Sequence, residues 1–351
     1  MQKSVVKPGE FVFSVTGLEH GHIYGMCQEL IQAGAQLKSV YEPDENKLKA
    51  FLQKFPQAVA VSAEEELLSD PQVHLIAAAA VPCQRCDLGI RVMEAGKDYF
   101  TDKTPMTTLA QLERARAAVQ RTGRKYLVNY SERLQNEGAM LAGDMIQQGE
   151  IGDVLQVTGF GPHRLGVSPR PDWFYKKAEY GGILCDIGSH QIEQYLYYAG
   201  EEDAVVTLSR VGNYAHPQYH ELEDFGDCAI TGKKGTSNYF RVDWFTPDGL
   251  RTWGDGRTFI MGTKGTIEIR KYINIAAEKT GGNHVFLVNG NGEKYWDATG
   301  MTGHPFFGRL ILDCLNRTEN AMTQHHTFKA AELCLIAQEK ALRLSQDEIK
   351  M

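Results

Sequence analysis

No apolar run in this chain approaches the length of a bilayer. The longest, LIAAAAV at 75–81, falls far short of the roughly 20 residues a spanning helix needs. The N-terminus lacks the layout of a secretory signal, since FVFSV at 11–15 is only a strand's length. A cytoplasmic protein with no membrane partner is therefore expected. Positive charge is also short: Lys+Arg number 37 against 44 Asp+Glu, for a net charge of −7. That leaves no basic footprint for nucleic acid. Cysteine forms no disulfide framework. There are seven, an odd number, and most sit inside apolar patterns, as expected of reduced thiols. Cys83 and Cys86 make one C-x-x-C with no second pair and no thioredoxin-like surroundings. His20 and His22 are likewise a pair without a full ligand set, so no metal site is expected. Internal repeats and low-complexity tracts are absent. What is present is a globular chain of 351 residues, 42% hydrophobic and 23% charged, long enough for two domains.

The first 130 residues alternate strand and helix. FVFSV (11–15) ends at Gly17, and Ile23, Met26, Cys27, Leu30 and Ile31 then mark a helical stripe closed by Gly34. LKSVY (37–41), AVAV (58–61), VHLIAAAA (73–80), DYFTD (98–102) and KYLVNY (125–130) read as further strands. Between them, Asp44 is placed to cap one helix, Ser62 and Glu65 to form a capping box, and Thr108 to open another helix. This βαβ rhythm predicts a parallel sheet wrapped by helices, an α/β nucleotide-binding (Rossmann) domain over 1–130. After about residue 150 the rhythm changes. Strand-like runs such as AVVTLSRV, SNYFRVDWF, RTFIMG and GTIEIRK are joined by Gly-rich turns. They predict an α+β domain over 131–351 with a large, open, mainly antiparallel sheet. A last helix is read over roughly 327–344, and it is expected to pack back towards the first domain.

The first βα turn is where a Rossmann domain holds a pyrophosphate, against the amides and dipole of a helix N-terminus. The chain reads Gly17-Leu18-Glu19-His20-Gly21-His22. Only the first glycine of G-x-G-x-x-G is in register, Glu19 replaces the second, and Gly21 is placed to tighten the turn one residue early. An ordinary Gly-containing βα turn would look the same. Glu42, at the end of the second strand, stands where an acid accepts adenosine ribose hydroxyls and repels a 2′-phosphate. It favours NAD over NADP, although a solvent-facing strand-end glutamate would also fit.

A second motif lies at Tyr180–Tyr195, YGGILCDIGSHQIEQY. If a helix starts here, Asp186 and His190 share one face at i, i+4. A carboxylate and an imidazole so placed are suited to acid/base work, and a merely polar helix face is the plain alternative. The preceding segment, GPHRLGVSPRPDWFYKKAEYGG (161–182), leads straight into this motif. His163, Arg164, Arg170, Trp173 and Tyr175 offer aromatic faces and cationic donors to a sugar or polyol, or else pack a Pro-stiffened loop.

These residues together resemble the glucose-fructose oxidoreductase / inositol dehydrogenase / rhizopine catabolism (Gfo/Idh/MocA) family, over nearly the whole chain. Its E-K-P-like motif after the fifth strand is Asp102-Lys103-Thr104-Pro105, with the proline displaced by one. Its G-G-G-x-x-x-D-x-G-x-H-like motif is Gly181 to His190. The resemblance implies that Lys103 contacts the reacting hydroxyl and the nicotinamide ribose, that His190 is the general base, and that Asp186 orients it or touches substrate. It also implies cofactor contacts at Gly17, Glu19, His20, Gly21, His22, Glu42, Pro82, Lys103 and Arg133, and convergence of Lys103, Asp186 and His190 at the domain cleft. Where many members have a histidine after Pro82, this chain has Cys83.

The implied activity is NAD(P)-dependent hydride transfer at a secondary hydroxyl of a sugar, polyol or related compound. A glycosidase using transient NAD oxidation and a non-catalytic cofactor sensor are the competing readings. Self-association into a homodimer or homotetramer is expected through the second sheet, with Val242, Trp244, Phe245, Phe259 and Met261 as apolar material, unless these residues are ordinary core.

Overall fold

The computed structural model describes residues 4–167, 170–277 and 282–344. The chain divides into two compact units: Met1–Asn129 with His304–Phe328, and Tyr130–Gly303 with Lys329–Met351.

The first unit runs β1 (Val12–Thr16), α1 (His22–Gln32), β2 (Gln36–Tyr41), α2 (Glu45–Lys54), β3 (Val59–Ala60), α3 (Glu64–Ser69), β4 (Leu75–Ala78), α4 (Pro82–Glu94), β5 (Asp98–Asp102), α5 (Leu109–Thr122) and β6 (Tyr126–Asn129). Its six strands are parallel, in the order β3-β2-β1-β4-β5-β6. The order reverses between β1 and β4, so the crevice for a ligand opens beyond the carboxyl ends of these two strands. β4 is buried along its whole length, which explains its unbroken apolar run. Asp44 caps α2, accepting the amides of Asn46 and Lys47. The box expected with Glu65 uses Glu66 instead, whose carboxylate accepts from the Ser62 amide and hydroxyl and from the Ala63 amide. One residue of register decides this, because with Ala63 as the N-cap, Glu66, not Glu65, is the third helical residue and faces back to the helix start.

Residues 304–328, read from sequence as part of the second domain, belong to the first unit. The helix Pro305–Asn316 lies against α1, and Phe306 and Phe307 pack on Phe100 of β5. Gln324 covers the open edge of β6: its side-chain oxygen accepts the Tyr126 amide at 2.8 Å and its Nε2 donates to the Tyr126 carbonyl at 3.0 Å. An edge strand is thereby closed by a side chain that mimics a peptide. These long-range contacts leave no trace in local periodicity.

The second unit opens with α6 (Ser131–Leu134) and α7 (Glu137–Gln147). β7 (Val154–Pro162), α8 (Lys177–Tyr180), α9 (Ile183–Asp186) and α10 (Gly188–Ala199) follow, and then the strands β8 (Ala204–Gly212), β9 (Phe225–Gly232), β10 (Ser237–Asp243), β11 (Arg257–Gly262), β12 (Gly265–Arg270), β13 (His284–Asn289), β14 (Gly292–Asp297) and β15 (Leu342–Leu344). They form one sheet in the order β14-β13-β12-β11-β7-β10-β9-β8-β15, antiparallel except where β7 meets β10 and β8 meets β15. The final helix ends earlier than its apolar stripe suggested, at Lys340, and Leu342–Leu344 is a strand. The alternation Leu-Arg-Leu suits a sheet edge better than another helical turn.

α10 packs on β7 and β10. It approaches closely because β7 carries Gly159 and Gly161, where an added Cβ would fall 2.1 Å and 3.0 Å from the Gln191 amide. The opposite sheet face leaves Phe259 and Met261 on β11, and Val205 and Leu208 on β8, exposed. Val242 and Trp244, expected on that face, are instead buried. Among the described residues no helix is long and apolar enough to cross a membrane.

Candidate functional site

In the first unit, the turn after β1 is fixed to the end of β4. Gly17 has φ +65°, and a Cβ there would sit 2.9 Å from the Ala80 Cβ, so glycine is required twice over. The Gly17 carbonyl accepts the Ala79 amide and the His20 amide donates to the Ala79 carbonyl, both at 3.0 Å. Glu42 is buried. One carboxylate oxygen accepts the Leu18 amide at 2.9 Å and the other the Asp44 amide at 3.1 Å. It therefore shapes the turn as well as lining it. Glu19, which stands in place of the motif's second glycine, is turned to Lys47 of α2, with Nζ 2.5 Å from its oxygen. A cavity of about 460 Å³ lies here, lined by Thr16, Gly17, Glu19, Glu42, Gln84 and Arg91, among others. Gly21 is the N-cap of α1, and neither a capping side chain nor an acid occupies the first turn. The positive end of the helix is thus left for an anionic ligand.

Pro82 opens α4 at its first turn. The two cysteines of the C-x-x-C on this helix are not joined in a disulfide, and burial pushes the Cys86 thiol up to about 12. The residue that matters is the intervening Arg85, 1% exposed. Its guanidinium donates to the carbonyls of Ala80 (2.7 Å), Asp102 (3.2 Å), Thr104 (3.0 Å) and Lys103. It thereby gathers the chain after β5, where the Lys103–Thr104 peptide is cis, and Tyr126 Oη adds a bond to the Pro105 carbonyl. Lys103 itself is buried and lies within electrostatic reach of His20. Asp102, immediately before it, is fully buried, and His22 Nδ1 lies 2.9 Å from Oδ1. Burial opposes the Asp102 charge, but His22, Arg85 and His20 more than offset this and hold the carboxyl well below its usual range. Burial, with the neighbouring His22, lowers the His20 pKa well below its usual value.

In the second unit, Asp186 ends α9 and His190 lies in the first turn of α10. Ile187 between them keeps helical angles, so the expected shared face survives the break. The first turn is tightened: the His190 amide donates to the Ile187 carbonyl, and the Ser189 hydroxyl donates to the Asp186 carbonyl. His190 is buried and Asp186 half-buried. Arg170 lies over the rings of Phe174 (4.7 Å) and Trp244 (5.0 Å), and the Asp186 charge partly offsets the burial that lowers its pKa. His163 meets Trp253 and Trp244 edge-on at 4.5 and 5.4 Å, and Trp253 in turn contacts Tyr272. Trp173 is buried, and Tyr175 stacks on Tyr219 at 3.8 Å.

Two expected ligand arginines have structural engagements. Arg164 donates to the carbonyls of Pro247, Leu250 and Thr252 and so ties down a loop. Arg133 is buried against Glu193 in a two-point pair and lies over the Tyr197 ring. Neither engagement has a sequence signal.

Beneath the aromatic residues lies a buried ion pair that sequence reading missed. Lys271 Nζ lies 2.7 Å from Glu132 Oε2, which also accepts Gln191 Nε2 at 3.0 Å. Burial works against the Glu132 charge, but Lys271, then His190 and His163, hold it at about 2. With its folded pKa depressed, Glu132 stabilises the unit above the unfolded carboxylate pKa, and this contribution fades as pH falls through the folded value. Lys271→Met strands a buried carboxylate and should cost about 3–5 kcal/mol of stability at neutral pH. In that variant Glu132 would have a raised pKa, so its deficit should shrink as pH is lowered. Denaturant melts of both proteins at neutral and acidic pH check this, and a pH-independent difference would contradict it.

Comparison with known proteins agrees with this architecture. Residues 19–130 match the oxidoreductase family with an NAD-binding Rossmann fold. Residues 140–268 match the GFO/IDH/MocA C-terminal domain. A crystal structure from Erwinia carotovora atroseptica SCRI1043, of a protein classed as an oxidoreductase, is 49% identical, with a TM-score of 0.93, covering 96% of this chain and 100% of that one. The NADP⁺-type scyllo-inositol 2-dehydrogenase of Bacillus subtilis strain 168 is 27% identical over 177 residues, 49% of this chain and 48% of that protein. The D-xylose dehydrogenase of Paenarthrobacter nicotinovorans is 27% identical over 153 residues, 42% of this chain and 39% of that protein. The chain thus spans about half the length, or less, of these curated relatives. With both domain types matched in order, the chain belongs to the Gfo/Idh/MocA family of oxidoreductases.

Proposed function

We propose that this chain is an NAD-dependent dehydrogenase acting on a secondary hydroxyl of a sugar, polyol or related hydroxy compound. The observation that carries the reading is the gathering of the Asp102–Thr104 backbone around Arg85, which fixes Lys103 beside the βα turn. The residues around that turn suit a dinucleotide: the tight Gly17 approach, the uncapped helix start at Gly21 and the buried acid Glu42. Gly17, Glu19, His20, Gly21, His22, Glu42 and Pro82 would hold it. When bound, the nicotinamide exchanges a hydride with the carbon of the reacting C–OH group. Lys103 donates a hydrogen bond to the reacting oxygen and stabilises negative charge as it develops there. His190 accepts the hydroxyl proton at its imidazole, and Asp186 orients His190 or binds a neighbouring hydroxyl. Arg170, His163, Trp173 and Tyr175 bind the remaining hydroxyls and ring faces, and the buried Glu132–Lys271 pair supports His163 and His190 from below.

Fluorescence titration should give saturable NADH binding with NADPH weaker. Glu42→Gln should narrow that preference, because the fixed negative charge at the ribose end is gone. Equal affinity for the two cofactors in the unaltered protein would refute the assignment of Glu42.

A screen of inositols and aldoses with NAD should yield net NADH formation. On any substrate so found, Lys103→Met and His190→Asn should each lower kcat/KM by about 10²–10⁴-fold while NADH binding persists. Turnover without net NADH formation would instead indicate transient redox chemistry.

The exposed face carrying Phe259 and Met261 supports a homodimer or homotetramer. Light scattering should show an oligomer that the Phe259→Glu/Met261→Glu variant converts to a folded monomer. A monomeric parent protein at micromolar concentration would remove the oligomer from the proposal.

A further inference from the structure

His20 and His22 look like an isolated pair in the sequence, but the fold supplies them with a third group. β1 and β5 both flank β4, and the turn after β1 is bonded to the end of β4 at Ala79. That arrangement brings both rings to Asp102, the last residue of β5. His22 Nδ1 lies 2.9 Å from Oδ1 and His20 Nδ1 lies 3.4 Å from Oδ2. One ligand atom from each of the three residues falls within 4.8 Å of the others. Ligands around a tetrahedral zinc, at metal–ligand bonds of about 2.0–2.1 Å, stand roughly 3.3 Å apart. Each imidazole nitrogen stands near that distance from one oxygen of the carboxylate, His22 from Oδ1 and His20 from Oδ2.

The details favour a ligand set over a simple hydrogen-bonded trio. A carboxylate that only oriented one imidazole would need one short contact. Here both rings bring Nδ1 to the carboxylate, one to each oxygen, while His20 Nδ1 also accepts a long bond from the His22 amide at 3.3 Å. Asp102 Oδ2 is buried and accepts no hydrogen bond among the described residues. Its neighbours, His20 Nδ1 at 3.4 Å and Arg85 Nη2 at 3.5 Å, are too long or too poorly aligned to serve as donors. A fully buried carboxylate oxygen with charged neighbours but no hydrogen bond is incompletely satisfied, and an ion would complete it. The two rings are only partly buried, which gives an ion a route in and leaves a fourth position open to solvent or an anion.

We propose that His20, His22 and Asp102 form a binding site for one transition-metal dication of the zinc class. The imidazole pair selects against magnesium and calcium, which prefer all-oxygen shells. Arg85 donates to the Asp102 main-chain carbonyl and so fixes the backbone that carries the carboxylate. The positive charges of Arg85 and Lys103 oppose the ion, so the site should be moderate in affinity and readily stripped by chelators.

The test uses the whole protein, chelator-treated and free of nicotinamide cofactor. Zinc is titrated by calorimetry and cobalt(II) by its visible absorption. One equivalent of each should bind per chain, with cobalt bands of a low-coordinate nitrogen and oxygen site. His20→Ala and His22→Ala should each weaken zinc binding by at least about tenfold, a loss known even for outer-shell partners. The His325→Ala/His326→Ala control should bind as the parent does. Both test histidines are part-exposed, so their variants should fold, and a thermal melt verifies it. No zinc uptake, or uptake that survives both histidine changes, overturns the proposal. Failure of NADH to bind in a separate titration would touch only the dehydrogenase reading, because this site is read without cofactor.

Discussion

The buried guanidinium of Arg85 is the constraint on which the first unit's active end depends. A charge this enclosed must be surrounded by oxygen, and here the oxygen comes from the main chain at the ends of two neighbouring strands. The side chain therefore acts as a gauge: the carbonyls of Ala80, Asp102 and Thr104 must stand where its nitrogens reach them. Lys103 inherits its position from that requirement. Asp102 inherits its ionised state partly from the same cation, and the two histidines of the βα turn then arrange themselves on Asp102. A single interior charge thus sets a backbone path, a carboxylate and an imidazole pair.

The second unit solves a related problem with opposite emphasis. Glu132 and Lys271 neutralise each other inside the protein, and Gln191 completes the pairing next to His190. Two aromatic layers, Trp253 on Tyr272 and Trp244 on Phe174, then provide apolar surface around His163 and Arg170. Polar groups that meet only a few partners in fixed directions, set in an apolar wall, are the usual make-up of a small-molecule site.

Much of this was legible in the residues. The six strands of the first sheet follow from apolar runs between turn signals. The Asp186–His190 spacing survives because Ile187 keeps helical angles across the break. Polar β14, with its exposed GEKYWD, carries no apolar pattern to read. Leu342–Leu344 reads as helix because Leu344 continues the apolar stripe of Leu333, Ile336, Ala337 and Ala341. The partners of the site were harder still. Lys271 is 139 residues from Glu132, and Arg85 hides inside a C-x-x-C that draws attention to its cysteines. Sequence separation, not subtlety of motif, is what concealed them, since no local rule pairs residues that only the fold brings together. Arg133 and Arg164 show the converse. An arginine beside a motif invites a ligand role, and a buried glutamate or a set of loop carbonyls can claim it first.

The return of residues 304–328 to the first unit has a consequence for biosynthesis. The stretch that lays Phe306 and Phe307 against Phe100 is translated only after the whole second sheet up to β14 has been made. The nascent nucleotide-binding half must therefore wait on the ribosome with part of its hydrophobic interior uncovered, and with the edge of β6 lacking Gln324. Such a chain is open to strand-edge association during synthesis. Its completion waits on residues 304–328, so a truncation ahead of them would damage the first unit.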